Sequence, residues 1–307
     1  MRTLLCLVFL MPAYVYGFAE TYYVRDDGGS YGLEDGSNWA NAFKGWSDIA
    51  FGPGANQVGP GDLLCVDGIV GSLSDSSISV GGTSAIVPLT LAGSGFTSCN
   101  DPSDIGSGTI KKEQISGTAV LSVTSGADYV IVRDVTIQGA GSGSVGADGI
   151  SIGTRGVAQT GIQIGPNVII KSISDDGLAL NANTLGGVEI DCDPVFGQIS
   201  ATGCEYSVKI DTTRNDGISC RTPGVTAVKW QIHNSGRNTS GNNDGLALYD
   251  DGATGSDCWA FIGKFFWISN HGGATVAAGS SAIDHQVTGT VPVGLEQIGR
   301  ASCRERV

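Results

Sequence analysis

The chain has 307 residues, with 17 Lys and Arg against 30 Asp and Glu and a formal net charge of −13. That balance argues against nucleic acid or anionic membrane as partners and is compatible with calcium. With 48 glycines and 41% hydrophobic residues, many of them Val and Ile in short runs, the composition points to short strands between frequent turns around a real core.

Residues 1–19 read as a secretory signal: Arg2, an apolar run of 13 residues from Leu4 to Tyr16, then Gly17-Phe18-Ala19 before Glu20. The run is shorter than the roughly 20 residues a membrane span needs, so no span is expected. Residues 20–60 are predicted to form an N-terminal cap. Trp39, Ala42, Phe43, Trp46 and Ile49 fall at helical spacing, which predicts a helix over Ser37–Ile49 with Ser37 as N-cap. Its aromatic residues are expected to serve as cap core rather than as a sugar platform.

From residue 61 to 297 one short pattern recurs. It appears as Asp148-Gly149-Ile150-Ser151-Ile152, Asp176-Gly177-Leu178-Ala179-Leu180, Asp216-Gly217-Ile218-Ser219-Cys220 and Asp244-Gly245-Leu246-Ala247-Leu248. The aspartates are 28, 40 and 28 residues apart, and a fixed period of this size marks a solenoid. Upstream, Ala119–Val123 and Tyr129–Ile137 supply the same units. Gly161–Ile164 and Val168–Ile173 complete the coil that Gly149–Ile152 opens. Val188–Ile190 and Tyr206–Ile210 follow Leu178–Leu180, and Val225–Asn234 holds two strands around a bend. Cys258–Gly263 and Phe265–Asn270 follow Leu246–Leu248, and Ser281–Val287 opens another coil with Ile283 in the place of Leu246. Three short strands per period predict a parallel β-helix. Ile150, Leu178, Ile218 and Leu246 would stack inside, about 4.8 Å apart, and Ile152, Leu180, Cys220 and Leu248 would form a second inner column. Ser151, Ala179, Ser219 and Ala247 would point outward as a smooth strip that either seats a glycan or is covered by the loops Ser235–Asn243 and Tyr249–Asp257. Asp is expected to bond nearby amides at the corner, and Gly to supply a turn conformation closed to most residues.

The long interval explains itself. It exceeds 28 by 12 residues, and Cys192 and Cys204 are also 12 apart. A Cys192–Cys204 disulfide is expected to pin an insertion over Pro194–Gly203, stabilising by roughly 3 kcal/mol on the chain-entropy picture. The other four cysteines of the mature chain are Cys65, Cys99, Cys220 and Cys258, and their pairing is open. An even number behind a signal peptide suits an oxidising, extracellular or cell-surface location. The last ten residues, Ile298–Val307, resemble the translation of a sequencing adapter and are expected to be an artefact that truncates the β-helix. Glu20–Gln297 then carries 13 basic against 29 acidic residues, or −16.

The segments Tyr22-Tyr23-Val24-Arg25-Asp26-Asp27-Gly28-Gly29, Ser37-Asn38-Trp39-Ala40-Asn41-Ala42-Phe43 and Val58-Gly59-Pro60-Gly61-Asp62-Leu63-Leu64-Cys65-Val66 resemble the opening of bacterial secreted right-handed β-helix repeat proteins of the pectate-lyase-like superfamily. The Asp-Gly-Ile/Leu repeats resemble their later coils. The resemblance spans most of Glu20–Val293 and implies an all-β, right-handed parallel β-helix that binds or processes polysaccharide, acidic glycans among them. The same superfamily holds adhesins, so a noncatalytic surface module is the competing expectation.

Three constellations could carry chemistry. The aspartate column, Asp148, Asp176, Asp216 and Asp244, with Asp175, Asn215 and Asn243 before three of them, could act as acid/base groups or bind calcium. Turn chemistry explains it more simply, since every coil carries it. A resemblance to polygalacturonases rests on Asn215-Asp216-Gly217, Asn243-Asp244-Gly245 and Asn270-His271-Gly272-Gly273. It implies Asp216 and Asp244 as the catalytic carboxylates and His271 as the residue that tunes them. Asn243 departs from the family's Asp, and its Arg-Ile-Lys motif has no match. A lyase would use calcium and an Arg or Lys base, with Arg221 and Lys229 as substrate-binding candidates one coil from Asp191 and Asp193. Three His and scattered Cys give no zinc spacing, so no metal-ligand set is assigned; no cofactor is required, and calcium could bind.

Overall fold

The architecture comes from a computed structural model, which describes residues 19–26, 31–72, 76–100, 108–112, 119–141, 146–154, 157–181, 183–193, 195–222, 224–236, 244–250, 258, 261–264, 266–269 and 283–287. The predicted signal segment up to Phe18, the tail Ile298–Val307 and His271 lie outside these residues.

Short runs of Val, Ile, Leu and Thr with alternating burial form strands because their branched side chains suit a pleated surface with one face sealed. The strands gather into three sheets in which every neighbouring pair is parallel. Sheet I has eight strands, beginning with Thr21–Val24 and Leu63–Val66 and ending with Phe261–Lys264. Among the described residues sheet II has seven, from Ile69–Ser72 to Trp267–Ser269, and sheet III has seven, from Ser76–Ile78 to Ile283–Val287. From Leu63 onward the chain visits sheets I, II and III in that order, coil after coil, building a right-handed parallel β-helix.

Coil stacks on coil in the predicted register. Ile150 pairs with Leu178, Leu178 with Ile218, Ile218 with Leu246 and Leu246 with Ile283. Sheet II contributes an inner column of its own, in which Ile110, Ile137, Ile170, Ile210 and Ile232 pair in succession. All five are fully buried, and the core runs as one continuous cluster from Tyr22 to Cys258. Each such side chain withdrawn from water is worth about 1.5–3 kcal/mol, so every coil adds a similar increment.

The glycine of each Asp-Gly pair is needed for a different reason from the one expected. Gly149, Gly177 and Gly217 are absent from the positive-φ glycines, so no left-handed turn demands them. A Cβ on Gly177 would instead lie 2.6 Å from the carbonyl oxygen of Gly217 and 2.5 Å from Ile210 Cγ2. Gly149 meets Gly177 and Ile170 in the same way, and Gly217 meets Gly245 and Ile232. Left-handed residues occur at the corner between sheets I and II, where Gly68, Asp134, Asn167 and Lys229 have φ of 65°, 48°, 57° and 55°.

The N-terminal segment departs from expectation. In place of a helix over Ser37–Ile49 there are two 3-10 turns, Trp39–Asn41 and Trp46–Asp48. Asn38, not Ser37, caps the first, accepting from the Asn41 amide at 3.0 Å. Phe43 breaks the run because its backbone bridges to the strand Thr21–Val24, donating to the Tyr23 carbonyl at 2.8 Å. The apolar spacing still serves burial, since Ala42, Phe43, Trp46 and Ile49 all join the core.

Three disulfides fasten the coils: Cys65–Cys99, Cys192–Cys204 and Cys220–Cys258. The second closes the insertion between sheets I and II. There the buried carboxylate of Asp191 accepts from the amides of Asp193 and Ser200, and Glu189 accepts from Gly197. Among the described residues no helix is long and apolar enough to cross a membrane.

Two outcomes follow from this packing. Gly177→Ala should destabilise by about 1–3 kcal/mol in urea titration through overpacking, whereas Gly95→Ala, with open space at its Cβ, should stay within about 0.5 kcal/mol of the parent. Peptide mapping without reduction should recover the same three cysteine pairs, and free thiols at Cys192 and Cys204 would contradict the closed insertion.

Candidate functional site

The in-register coils place two rows of polar side chains on either side of sheet III. Asp148, Asp176 and Asp216 stand where strands begin. Asn181, Arg221 and Tyr249 stand one position beyond the second inner column, at Leu180, Cys220 and Leu248. Together with Asp175, Asn215 and Ala179 they line a cleft of about 340 Å³.

Within it the carboxylates are tied coil to coil. Asp176 Oδ1 accepts from the Asp216 backbone amide at 3.0 Å, and Asp216 Oδ1 accepts from the Asp244 amide at 2.7 Å. Tyr249 reaches back from the following coil to donate its hydroxyl to Asp216 Oδ2 at 2.8 Å. Asn215 donates its side-chain amide to Asp175. The guanidinium of Arg221 stacks 3.9 Å from the centre of the Tyr249 ring and donates to Ser219 Oγ at 2.7 Å. That posture lays Arg221 back over its own strand beside Ser219, and in the outward strip Ala179, Ser219 and Ala247 are all buried.

Burial and crowding set the electrostatics. Burial pushes the Asp216 carboxyl up to about 6, while the Asp244 amide, the Tyr249 hydroxyl and Arg221 pull the other way. Asp176 is raised well above the usual carboxylate range, first by burial and then by Asp216, Asp148 and Asp175. It keeps a partly accessible surface, so the crowding of like charge counts beside the loss of water. Asp175 is also raised by burial, against the pull of Asn215, Arg214 and Arg221. Carboxylate oxygens of Asp148, Asp175 and Asp176 lie within 4.8 Å of one another and could supply oxygen ligands to a hard cation.

Of the residues singled out from sequence, Asp148, Asp175, Asp176, Asn215, Asp216 and Arg221 meet in this cleft. Asp244 is fully buried and does not line it; its contribution is the backbone amide given to Asp216. Lys229 sits at the corner between sheets I and II, where it donates to the Cys204 carbonyl. Asp191 serves the amides of the insertion, so Arg221, Lys229, Asp191 and Asp193 are not assembled as one site. Asn181 and Tyr249 had not been picked out. The signal that marks them is their place directly after the inner column, one per coil.

The raised carboxyls should be visible in stability. Below about pH 4 an aspartate is protonated in both folded and unfolded chains. Between about 4 and 6 the folded chain keeps the Asp216 proton that the unfolded chain has released, so stability should fall as pH rises through that window. Asp216→Asn, followed by urea titration across the window, should flatten the fall and gain on the order of 2 kcal/mol near neutral pH, with no gain in acid. Comparison with protein-family profiles, curated proteins and solved structures finds no match to this chain.

Proposed function

We propose that this chain is a secreted β-helix protein of the pectate-lyase-like type that binds polysaccharide across sheet III and hydrolyses it there, with Asp216 as proton donor and Asp176 as the second carboxylate. The observation that carries the reading is the pair itself: Asp176 and Asp216 line one cleft, Asp176 accepts from the Asp216 backbone amide, and burial raises both carboxyls in pKa. Glycoside hydrolysis needs one carboxyl that still holds its proton near working pH and a second that is ionised beside it. Asp216 has the donor's environment, nearly buried and oriented by Tyr249. Asp176 replaces the sealed Asp244 as its partner. Calcium on Asp148, Asp175 and Asp176 would offset their mutual repulsion and favour an ionised Asp176.

Hydrolysis fits this cleft better than elimination. A lyase needs a basic group free to take a proton, and an arginine does not give up its own proton in proteins. Arg221 is moreover engaged with Ser219 and Tyr249. It is better suited to hold a glycan hydroxyl or carboxylate at the cleft wall. Three disulfides favour an extracellular setting.

The second reading, a noncatalytic module that displays its surface, rests on the way Asp176 and Asp216 cap amides of the next coil. The two part on one experiment. Incubation of the full chain with a panel of neutral and acidic glycans should release reducing ends, and Asp216→Asn and Asp176→Asn should each reduce release by about 100-fold or more. Absence of release by the parent chain decides for display, and release unchanged in both variants would overturn the roles given to Asp216 and Asp176.

A further inference from the structure

We infer that the outer face of sheet II is a docking strip for an acidic polysaccharide laid along the axis of the coils, separate from the cleft on sheet III. This goes beyond the hydrolase reading and stands whether or not the cleft is catalytic.

The strip follows from alternation. Ile110, Ile137, Ile170, Ile210 and Ile232 point inward and are fully buried, so the residue after each points outward. Those residues are Lys111, Gln138, Lys171, Asp211 and His233, in register over five consecutive coils and all partly accessible. Beside them runs a second outward column, Ile169, Lys209, Gln231 and Trp267. Trp267, a large hydrophobic side chain, is 53% exposed.

Charge selects the occupant. In a chain of net charge −13, these columns place three lysines, Lys111, Lys171 and Lys209, against one acid, Asp211. Asp211 is itself occupied, accepting from Thr212 at 3.1 Å and Asn234 at 2.8 Å. The cleft on sheet III shows the opposite balance, with Asp148, Asp175, Asp176 and Asp216 beside Arg221 and Arg214. A polyanion is therefore favoured on sheet II over sheet III.

Spacing and chemistry point to a glycan. Lys111 and Lys171 are two coils apart, about 10 Å, and Lys209 lies one coil further in the adjoining column. An extended chain bearing carboxylates or sulfates on regularly repeating sugars can meet such cations in turn. Gln138 and Gln231 offer amides to hydroxyls, and the Trp267 ring offers a flat apolar surface to the C–H face of a sugar. A nucleic acid needs a denser positive field than three lysines in a strongly acidic chain provide.

The test is affinity electrophoresis of the full chain in gels holding polygalacturonate, dextran sulfate, neutral dextran or oligo-thymidylate. The parent should be retarded by one of the two acidic glycans and not by neutral dextran, with retardation weakening as salt rises. Lys171→Gln combined with Lys209→Gln should weaken binding at least tenfold with the melting temperature unchanged, and Trp267→Ala should weaken it as well. Asp216→Asn should leave binding intact, which keeps this result apart from failure of the hydrolase reading. Absence of retardation by either acidic glycan, equal binding by the double lysine variant, or tighter binding to oligo-thymidylate would each overturn the proposal.

Discussion

A parallel coil cannot slip by one residue against its neighbour without turning every inward isoleucine out to water. Here that constraint is repeated in all three sheets: Ile150 on Leu178 on Ile218 on Leu246 in sheet III, the isoleucine column of sheet II, and Leu64, Leu91, Val132, Ile164 and Ile190 in sheet I. Because the inner columns hold the register, every outward residue inherits it. The rows that line the cleft and the lysine strip are both consequences of side chains that never touch them.

The same stacking explains why the Asp-Gly pair recurs. The backbone of each coil passes so close to the next that only glycine fits, and the Gly177 amide donates to the Asp216 carbonyl at 2.9 Å. The aspartate side chain extends the ladder by accepting from the amide one coil ahead. A group required for coil pairing is thereby brought close to its counterparts, and like charges held at that spacing raise each other's pKa. Structure and chemistry are alternatives on sequence alone. Under the proposed function they coexist, since one oxygen of Asp216 serves the ladder and the other accepts from Tyr249.

The disulfide Cys220–Cys258 gives the cleft a rigid wall. Cys220 belongs to the second inner column and immediately precedes Arg221, while the Cys258 amide donates to the Tyr249 carbonyl at 2.8 Å. One covalent link thus anchors both halves of the Arg221–Tyr249 stack. The remaining two disulfides act elsewhere. Cys65–Cys99 sits in a small cluster with Leu63 and Ala92, and Cys192–Cys204 closes the insertion.

The sequence by itself determined the period, the inward columns and the position of the insertion, because spacing and alternation are properties of the chain read along its length. It also brought Asp176, Asp216 and Arg221 forward as candidates. Only the tertiary structure decided that Asp244 is sealed while Asp176 opens on a cleft, that Lys229 belongs to another corner, and that Tyr249 reaches back across a coil to Asp216. The helical spacing of Trp39, Phe43 and Trp46 misled for a related reason, since the pairing of Phe43 with the first strand overrode local preference. In each case the outcome rests on groups tens of residues away in the chain, whose separation in space is set by how the coils lie against one another.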